Sequence, residues 1–350
     1  MRMRFEKVRV ESLGYHLPEN VVTSEELERR LAPLYEKLKL PFGRLEMMSG
    51  IRERRFWDKG VFPSQVSSLA GEQALEKSGI DRDRIGALIC ASVCRDFLEP
   101  ATATVIHHNL GLPRECSVFD ISNACLGVLN GMLYVANQIE LGQIQAGLVV
   151  AGENGGPLVN HTIENLLRDP EPTRAKVKRA FASLTIGSAA VAVLLTHKDV
   201  SRGGHPLLGG VARTDTRHNH LCRGNDDQGM DLNAQPLMET DAETLMQEGI
   251  RLGAETWERF KQALGWTQQD VDRTFCHQVG ALHRKLMLET FGLDPARDFT
   301  TLEFLGNTGS AALPVTLALG EEQGVLSPGQ RLALLGIGSG LNCLMLGMEW

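Results

Sequence analysis

The chain has 350 residues, of which 43% are hydrophobic and 23% charged, and its formal net charge is −7. These values are ordinary for a globular protein of one large domain or two fused ones, and the negative charge gives no reason to expect a nucleic-acid partner. The chain starts with charged residues and has no run of about 18 apolar residues, so we expect neither a signal peptide nor a membrane span. Seven cysteines without CxxC pairs favour reduced thiols in the cytoplasm over disulfides or a zinc site.

Strand-like and helix-like segments alternate through the first half of the chain. Residues 8–14 predict a strand, Ser24 to Leu31 a helix with Ser24 as its N-cap, and residues 64–78 a helix that Gly79 ends. Further strands are predicted at residues 87–93, 116–121, 146–152 and 189–195. Apolar runs separated by helical patterns predict a largely parallel sheet that is covered on both faces.

The second half repeats this plan. It has helical patterns at 239–264 and 281–291, a turn into a helix from 304, and strand patterns at 273–278, 331–340 and 344–350. The repetition predicts an α/β fold of two similar halves, residues 1–200 and 201–350, with a seam near 198–205 and an insert at about 156–182. Polar residues at equivalent strand and helix ends would then meet near a pseudo-twofold axis.

Cys125 is the most informative single residue. It follows an apolar stretch and precedes a helix-like pattern, where backbone N–H groups and the helix dipole favour a thiolate. A thiolate at that place suggests covalent catalysis. A lone cysteine after a strand is more often a small buried apolar residue. The catalytic interpretation therefore depends on His277 and Asn307, which follow corresponding elements of the second half.

Several segments resemble the thiolase superfamily, and especially its ketoacyl-ACP synthase III branch. They are Ser49-Gly-Ile-Arg-Glu-Arg-Arg55, Ser122-Asn-Ala-Cys125-Leu-Gly, His277-Gln278, Gly306-Asn307-Thr308 and Gly336-Ile-Gly-Ser-Gly340. The resemblance runs nearly end to end and implies a five-layer αβαβα fold. It also implies that Cys125 carries the acyl group, that His277 and Asn307 complete a Cys-His-Asn set, and that the backbone of Cys125 with that of Gly338, Ser339 or Gly340 forms an oxyanion hole.

Three departures from the synthase pattern argue against a decarboxylating role with malonyl-ACP. The usual His-Gln-Ala-Asn is His277-Gln-Val-Gly280, and the usual Gly-Asp-Gly-Ala-Gly-Ala is Ile186-Gly-Ser-Ala-Ala-Val. The arginine that commonly helps to hold coenzyme A is displaced, which leaves Arg284 as the candidate for substrate binding.

The loop around Glu99 resembles another branch, the OleA-type acyl-CoA condensing enzymes of olefin biosynthesis. Its sequence is Cys94-Arg-Asp-Phe-Leu-Glu99-Pro-Ala-Thr. In that branch a glutamate from this loop reaches the active site of the partner subunit and acts as a base. The resemblance implies this role for Glu99, because condensation without loss of CO₂ requires a group that removes an α-proton. The local sequence alone is equally compatible with a solvated loop carboxylate.

The leading hypothesis is a homodimeric acyltransferase that joins two long-chain acyl-CoA molecules without decarboxylation and gives a 2-alkyl-3-ketoacyl product. It would need no cofactor or metal besides the coenzyme A thioester. The alternatives are a decarboxylative ketoacyl-ACP synthase III, simple acyl transfer or thioester hydrolysis, and a catalytically silent acyl-binding partner in a heterodimer. The sequence leaves open the chain length, an acyl-ACP rather than acyl-CoA donor, and downstream pathway enzymes as partners.

Overall fold

The computed structural model describes residues 1–224 and 237–350. The strands are β1 (Arg2–Arg4), β2 (Val8–His16), β3 (Asn20–Thr23), β4 (Glu53–Phe56), β5 (Ile85–Cys90), β6 (Ser117–Asp120), β7 (Ala146–Glu153), β8 (Ala189–His197), β9 (His205–Thr214), β10 (Cys222–Gly224), β11 (Met238–Thr240), β12 (Arg273–Cys276), β13 (Asp298–Phe299), β14 (Arg331–Gly338) and β15 (Asn342–Glu349). The helices are α1 (Ser24–Arg30), α2 (Ala32–Leu38), α3 (Arg44–Ser49), α4 (Pro63–Ser78), α5 (Thr102–Asn109), α6 (Gly127–Glu140), α7 (Gly156–Arg168), α8 (Arg174–Ala180), α9 (Ala242–Leu264), α10 (Ala281–Phe291), α11 (Leu302–Leu305) and α12 (Ala312–Glu322). In these two ranges, no helix combines the length and the apolar character that crossing a membrane requires.

Local hydrogen bonds correct two predicted helix starts. Thr23, not Ser24, is the N-cap of α1, because its hydroxyl accepts a hydrogen bond from the backbone N–H of Glu26 at 3.0 Å. The helix predicted from residue 239 begins at Ala242, since Asp241 caps it and the two residues before Asp241 belong to β11. The predicted end of α4 is confirmed, because Gly79 has the left-handed backbone that closes a helix.

The two halves of the main sheet have the same strand order and the same pattern of directions. The first half-sheet runs β6-β5-β7-β8-β2 and the second runs β13-β12-β14-β15-β9. In each half the first three strands are parallel, and the last two join antiparallel. A short antiparallel pairing of β2 with β9 connects the halves. The sheet is therefore mixed, and the prediction of a largely parallel sheet was wrong for its central strands.

Helices form three layers around the two half-sheets. In the middle, α12 packs against β2 and β8 of the first half-sheet and against β12 and β14 of the second. Every residue from Ala312 to Gly320 is buried, as expected for a helix enclosed on all sides. The helices α4 and α5 cover the outer face of the first half-sheet, and α9 and α10 cover that of the second. This arrangement is the five-layer α/β architecture that the resemblance implied.

The division of the chain near residue 200 stays a prediction, and the structure shows which elements flank it. The segment predicted as the seam lies between the end of β8 at His197 and the start of β9 at His205. The predicted insert contains α7 and α8, and α7 packs with α1 and α2 in a separate apolar cluster beside the main sheet. The division also places Cys125 and Asn307 at matching positions, each shortly after an edge strand and just before a central helix.

Candidate active site

Cys125 lies in a single 3₁₀ turn, Ala124–Leu126, between β6 and α6. Ala124 has a φ of 45°, a left-handed conformation that is uncommon outside glycine and marks a sharp change of chain direction. The turn packs against β14 and against the 3₁₀ turn Gly309–Ala311 of the second half. The fold therefore presents the cysteine at the start of the central helix, where the second half approaches it.

Desolvation favours the thiol form of Cys125, whose side chain is partly buried. Withdrawal from solvent raises the pKa of Cys125 to about 12, and repulsion from Cys222 and Glu153 adds to the increase. The raised pKa contradicts the prediction of a stabilised thiolate, which was based on the position of Cys125 at a helix start. A nucleophile in this state needs a base to take its proton as it attacks.

His277 is the residue predicted to act as this base. It directly follows β12, and its backbone N–H donates to the carbonyl of Leu335 in β14 at 3.0 Å. The residue is only 6% exposed, and burial lowers the pKa of His277 to about 3, with repulsion from His283 adding to the decrease. Among the described residues, the ring Nδ1 of His277 has no hydrogen-bond partner. Because the pKa of the Cys125 thiol lies far above that of His277, a neutral imidazole with an open ring nitrogen can take the thiol proton only while the sulfur attacks the acyl carbonyl.

Gln278 fixes the chain next to His277 by using its whole side-chain amide. Its Nε2 donates to the hydroxyls of Thr301 at 2.9 Å and Thr316 at 3.0 Å. Its Oε1 accepts from the hydroxyl of Thr300 at 2.5 Å and from the backbone N–H of Thr301 at 2.7 Å. A buried amide with four partners holds a single orientation. This structural role of Gln278 was not predicted from the sequence, although Gln278 belongs to the His277-Gln278 motif.

Asn307 is held by bonds from the first half of the chain. Its backbone N–H donates to the Thr185 carbonyl at 3.0 Å, and its carbonyl accepts from the N–H of Gly187 at 2.9 Å. A side chain at Gly187 could not fit, because its Cβ would lie 2.1 Å from the carbonyl oxygen of Leu305. The Oδ1 of Asn307 accepts a hydrogen bond from the N–H of Gly309 at 3.1 Å. The Nδ2 group of Asn307 is therefore the part of the amide that can donate to a developing oxyanion.

The glycine turn after β14 lies beside the nucleophile. A Cβ added to Gly338 would stand 3.6 Å from the backbone nitrogen of Cys125. Asn342 ties the two segments together, because its Nδ2 donates to the carbonyl of Ser339 at 3.1 Å and to Asn123 Oδ1 at 3.3 Å. The predicted oxyanion-hole segments are thus neighbours. The roles of the individual N–H groups, including that of Gly340, stay predictions.

Glu99 and Arg284 form no hydrogen bond or ion pair, in the part of the chain that the structure describes, that would tie them to Cys125, His277 or Asn307. Glu99 is exposed on the loop between β5 and α5, and no hydrogen bond or ion pair of Glu99 occurs among the described residues. The Nε of Arg284 donates to Asp298 Oδ2 at 2.5 Å, and its Nη2 donates to the Asp298 carbonyl at 3.1 Å. The Arg284 guanidinium thus joins α10 to β13, and its proposed binding of substrate stays a prediction.

Glu153 is a residue that the sequence analysis missed. It ends β7, is 3% exposed, and accepts hydrogen bonds from both the Glu99 loop and the turn after Asn307. The signal in the sequence is a carboxylate that ends an otherwise apolar buried strand. In residues 1–224 and 237–350, no group of three or more His, Cys, Asp or Glu side chains is placed to hold a metal ion.

The raised pKa of Cys125 predicts its reactivity towards iodoacetamide. Because the thiolate is the reactive form, the alkylation rate of Cys125 rises about tenfold per pH unit below that pKa, or about 100-fold from pH 7 to pH 9. Peptide mass spectrometry after timed alkylation measures the rate at Cys125 separately from the other six thiols. A plateau of the rate below pH 8 would instead indicate a thiolate–imidazolium pair in the resting enzyme.

The lowered pKa values of His277 and His283 predict a loss of stability in acid. The folded-state pKa of His277 is lowered to about 3 and that of His283 to about 4, from an ordinary value of 6.5. The folded state is favoured while both histidines are neutral, so their contribution to the free energy of unfolding is complete above pH 6.5. It decreases as the pH falls towards 4, because the unfolded chain binds protons more readily than the folded one. We expect at most about 1.4 kcal/mol per pH unit for each histidine.

Urea unfolding at pH 7, 6, 5 and 4 measures this dependence. The control is His283→Gln, which removes one of the two titrating groups and should reduce the slope between pH 6.5 and 4. An unchanged slope in that variant would show that His283 titrates normally in the folded state.

Two protein families match this chain. The thiolase N-terminal domain matches residues 50–171, and the C-terminal domain of 3-oxoacyl-[acyl-carrier-protein] synthase III matches residues 261–350. The acyl-CoA:acyl-CoA alkyltransferases of Shewanella oneidensis and Xanthomonas campestris are 45% and 38% identical, each over 99% of this chain and 100% of the relative. A beta-ketoacyl-[acyl-carrier-protein] synthase III of Symbiobacterium thermophilum is 27% identical over 99% of both chains.

Solved structures of Xanthomonas campestris OleA superpose closely on this chain. The cerulenin-bound form has a TM-score of 0.94 at 37% identity and covers 99% of this chain and 98% of its own. A form with bound lauric acid and lauroyl-CoA has a TM-score of 0.93 at 37% identity and covers 99% of this chain and 100% of its own. Other structures carry substitutions at one cysteine, one glutamate and one histidine. The substituted glutamate and cysteine have the same separation along their chain as Glu99 and Cys125 have here.

Proposed function

This chain belongs to the acyl-CoA:acyl-CoA alkyltransferases of the thiolase superfamily, and we propose that it joins two long-chain acyl-CoA molecules by a non-decarboxylative Claisen condensation. The observation that carries the proposal is the contact between the Cys125 turn and the turn after Asn307, and the same half of the chain holds a buried neutral His277 at the end of β12. A thiol nucleophile, a neutral base and an amide donor are what acyl transfer to the enzyme requires.

The first step transfers an acyl group to the enzyme. The Cys125 sulfur attacks the thioester carbonyl of the first acyl-CoA while the neutral imidazole of His277 takes the thiol proton. The carbonyl oxygen becomes negative and is stabilised by the backbone N–H of Cys125 and the adjacent glycine turn. The carbon–sulfur bond to coenzyme A then breaks, and the leaving thiolate takes the proton from His277.

The second step forms the carbon–carbon bond. The Glu99 carboxylate removes an α-proton from the second acyl-CoA, and the resulting enolate attacks the acyl carbonyl on Cys125. The Cys125 thiolate leaves and regains a proton, which balances the one that Glu99 accepted. The product is a 2-alkyl-3-ketoacyl-CoA, a branched precursor suited to olefin synthesis. The amide of Asn307 stabilises the developing enolate oxygen.

Glu99 reaches a second active site if the enzyme is a homodimer. Its loop carries exposed apolar side chains at Val93, Phe97 and Leu98, and Phe97 packs against exposed Phe62 with ring centroids 5.9 Å apart. A cluster of exposed apolar side chains suits a self-complementary interface. Burying it against a second copy would direct the neighbouring Glu99 towards the partner.

The proposed reaction needs no metal and no cofactor besides the coenzyme A thioester. Both steps are acid–base and acyl-transfer chemistry that the named side chains can perform. We also propose a cytoplasmic location, where reduced thiols persist; all seven cysteines are free in the structure. Acyl-CoA supply and the downstream consumption of the keto product would come from other enzymes of lipid metabolism.

The decarboxylative alternative has less support. The synthase III relative is 27% identical, against 45% for an alkyltransferase of similar coverage. The three departures from the synthase motifs point the same way. A malonyl-dependent enzyme also has no need for a carboxylate base on the exposed loop, because loss of CO₂ generates the carbanion.

Incubation of the pure protein with myristoyl-CoA alone tests the proposal. We expect one free coenzyme A for each 2-alkyl-3-ketoacyl-CoA formed, with thiol titration measuring the first and mass spectrometry the second. Free myristate in amounts equal to the released coenzyme A would indicate thioester hydrolysis. A strict requirement for malonyl-ACP with release of CO₂ would indicate the synthase III reaction.

A further inference from the structure

Glu153 is a buried carboxylate with four hydrogen-bond donors around it. Its Oε1 accepts from the backbone N–H of Val93 at 2.9 Å, from the backbone N–H of Ser310 at 3.2 Å and from the Ser310 hydroxyl at 2.5 Å. Its Oε2 accepts from the backbone N–H of Cys94 at 3.3 Å. Within the described residues no Lys, Arg or His forms an ion pair with it. A buried charge of this kind is costly unless hydrogen bonds hold it in place.

These donors belong to two different parts of the proposed active site. Val93 and Cys94 begin the loop that carries Glu99, and Ser310 lies in the turn that follows Asn307. The turn sits directly on the carboxyl group, because a Cβ added to Gly309 would be 3.1 Å from the carboxyl carbon of Glu153. One side chain therefore connects the loop of the proposed base to the segment of the proposed oxyanion donor.

We infer that Glu153 is a positioning residue: it ties the start of the Glu99 loop to the Asn307 turn of its own subunit, and so fixes where the Glu99 carboxylate is presented, in the partner's active site of a homodimer, to deprotonate the second acyl-CoA. The inference rests on the proposed function, because it assigns the consequence to the condensation step. Acylation of Cys125 does not involve Glu99, so a loosened loop affects the second step selectively. A displacement of about 1 Å in such a constellation can cost up to about 100-fold in rate.

The charge of Glu153 provides a readout that does not depend on condensation. Its carboxylate is among the groups that raise the pKa of the Cys125 thiol. Removing the charge of Glu153 should lower the pKa of Cys125 and so increase its rate of alkylation by iodoacetamide at a given pH. If Glu153 only supported the fold, its substitution would not increase this rate.

Two substitutions separate the charge from the reach of the side chain. Glu153→Gln keeps the length and the acceptor for Val93 and Ser310, but it removes the charge and faces the Cys94 N–H with an amide donor. Glu153→Asp keeps the charge but shortens the side chain, so that it cannot reach both segments. Ser310→Ala removes only the hydroxyl bond and is the fallback should Glu153→Gln not fold.

The experiment measures three rates in each variant: alkylation of Cys125 against pH, the burst of coenzyme A release from myristoyl-CoA, and formation of the condensed product. For Glu153→Gln we expect faster alkylation at pH 7.5, a burst within about threefold of the wild type, and product formation lowered about tenfold or more. For Glu153→Asp we expect an unchanged alkylation profile and the same loss of product. Ser310→Ala should also keep the alkylation profile and lose product formation more than the burst.

The inference is overturned by unchanged rates in Glu153→Gln, or by equal losses of burst and product with no change in alkylation. The second outcome would mean that Glu153 only supports the fold. Absence of condensation in the wild type would refute the proposed function instead. Faster alkylation in Glu153→Gln would in that case still show that the carboxylate acts on Cys125.

Discussion

Replacing Cys125 by alanine is expected to abolish acylation and to lower product formation by at least about 10⁴-fold. The thiol is the only group in the proposed mechanism that forms a covalent bond with the acyl chain. His277 takes the thiol proton and Asn307 stabilises the enolate oxygen of the second step, so neither can substitute for the sulfur. The remaining hydrogen bonds would still bind acyl-CoA, and the variant should therefore retain substrate affinity while losing turnover.

Intact-protein mass spectrometry with myristoyl-CoA checks this directly. The wild type should gain the mass of one myristoyl group, localised by peptide mapping to Cys125, and the alanine variant should gain none. The control is Cys116→Ala, because Cys116 is a thiol at the opposite end of β6, before the strand begins. That variant should still acylate. An acyl adduct in Cys125→Ala would place the nucleophile at another residue.

The sequence was sufficient to predict that Cys125 and Asn307 follow equivalent elements of the two halves. Cys125 and Asn307 follow the edge strands β6 and β13 and precede the central helices α6 and α12, and a repeat of strand and helix patterns makes such positions recognisable. His277 has a similar place directly after β12. The Cys-His-Asn chemistry itself was proposed from the resemblance of these motifs to the thiolase superfamily, which needs no three-dimensional detail.

Protonation states could not be predicted in the same way. A helix start next to Cys125 favours the thiolate, yet desolvation raises the pKa of Cys125 to about 12. The helix dipole is a local property of the sequence, whereas desolvation depends on what packs over the thiol. Glu153 was missed for a related reason, since its donors come from residues 93–94 and from residue 310, far apart in the chain.

The directions of the strands and the partners of some side chains could not be predicted from the sequence either. Short apolar runs predict that β7, β8, β14 and β15 exist, but an apolar run has no direction, and the central pairs are antiparallel. Arg284 was assigned to substrate from the displaced motif arginine, and its observed partner is the buried carboxylate of Asp298. Both features depend on which elements become neighbours after folding.

Glu99→Gln is expected to separate the two half-reactions. Loss of a general base costs about 10² to 10⁴ in rate, so condensation of myristoyl-CoA should fall at least about 100-fold. Acylation of Cys125 uses His277 rather than Glu99, and the burst of coenzyme A release should stay at the wild-type level. The acylated enzyme would then accumulate and be visible by mass spectrometry. The matched control is Glu115→Gln, which neutralises another exposed loop carboxylate and should leave condensation unchanged.

Mixing the two inactive variants determines which subunit supplies Glu99. Co-expressed Cys125→Ala and Glu99→Gln chains form mixed dimers in which one site combines an intact Cys125 with an intact Glu99 from the partner. If Glu99 acts across the interface, activity should return to about one quarter of the wild type, since half of the dimers are mixed and half of their sites are complete. If Glu99 acts within its own chain, no site in any dimer has both groups and the mixture stays inactive. Full condensation by Glu99→Gln alone would remove Glu99 from the mechanism and return its exposed carboxylate to the role of a solvated loop residue.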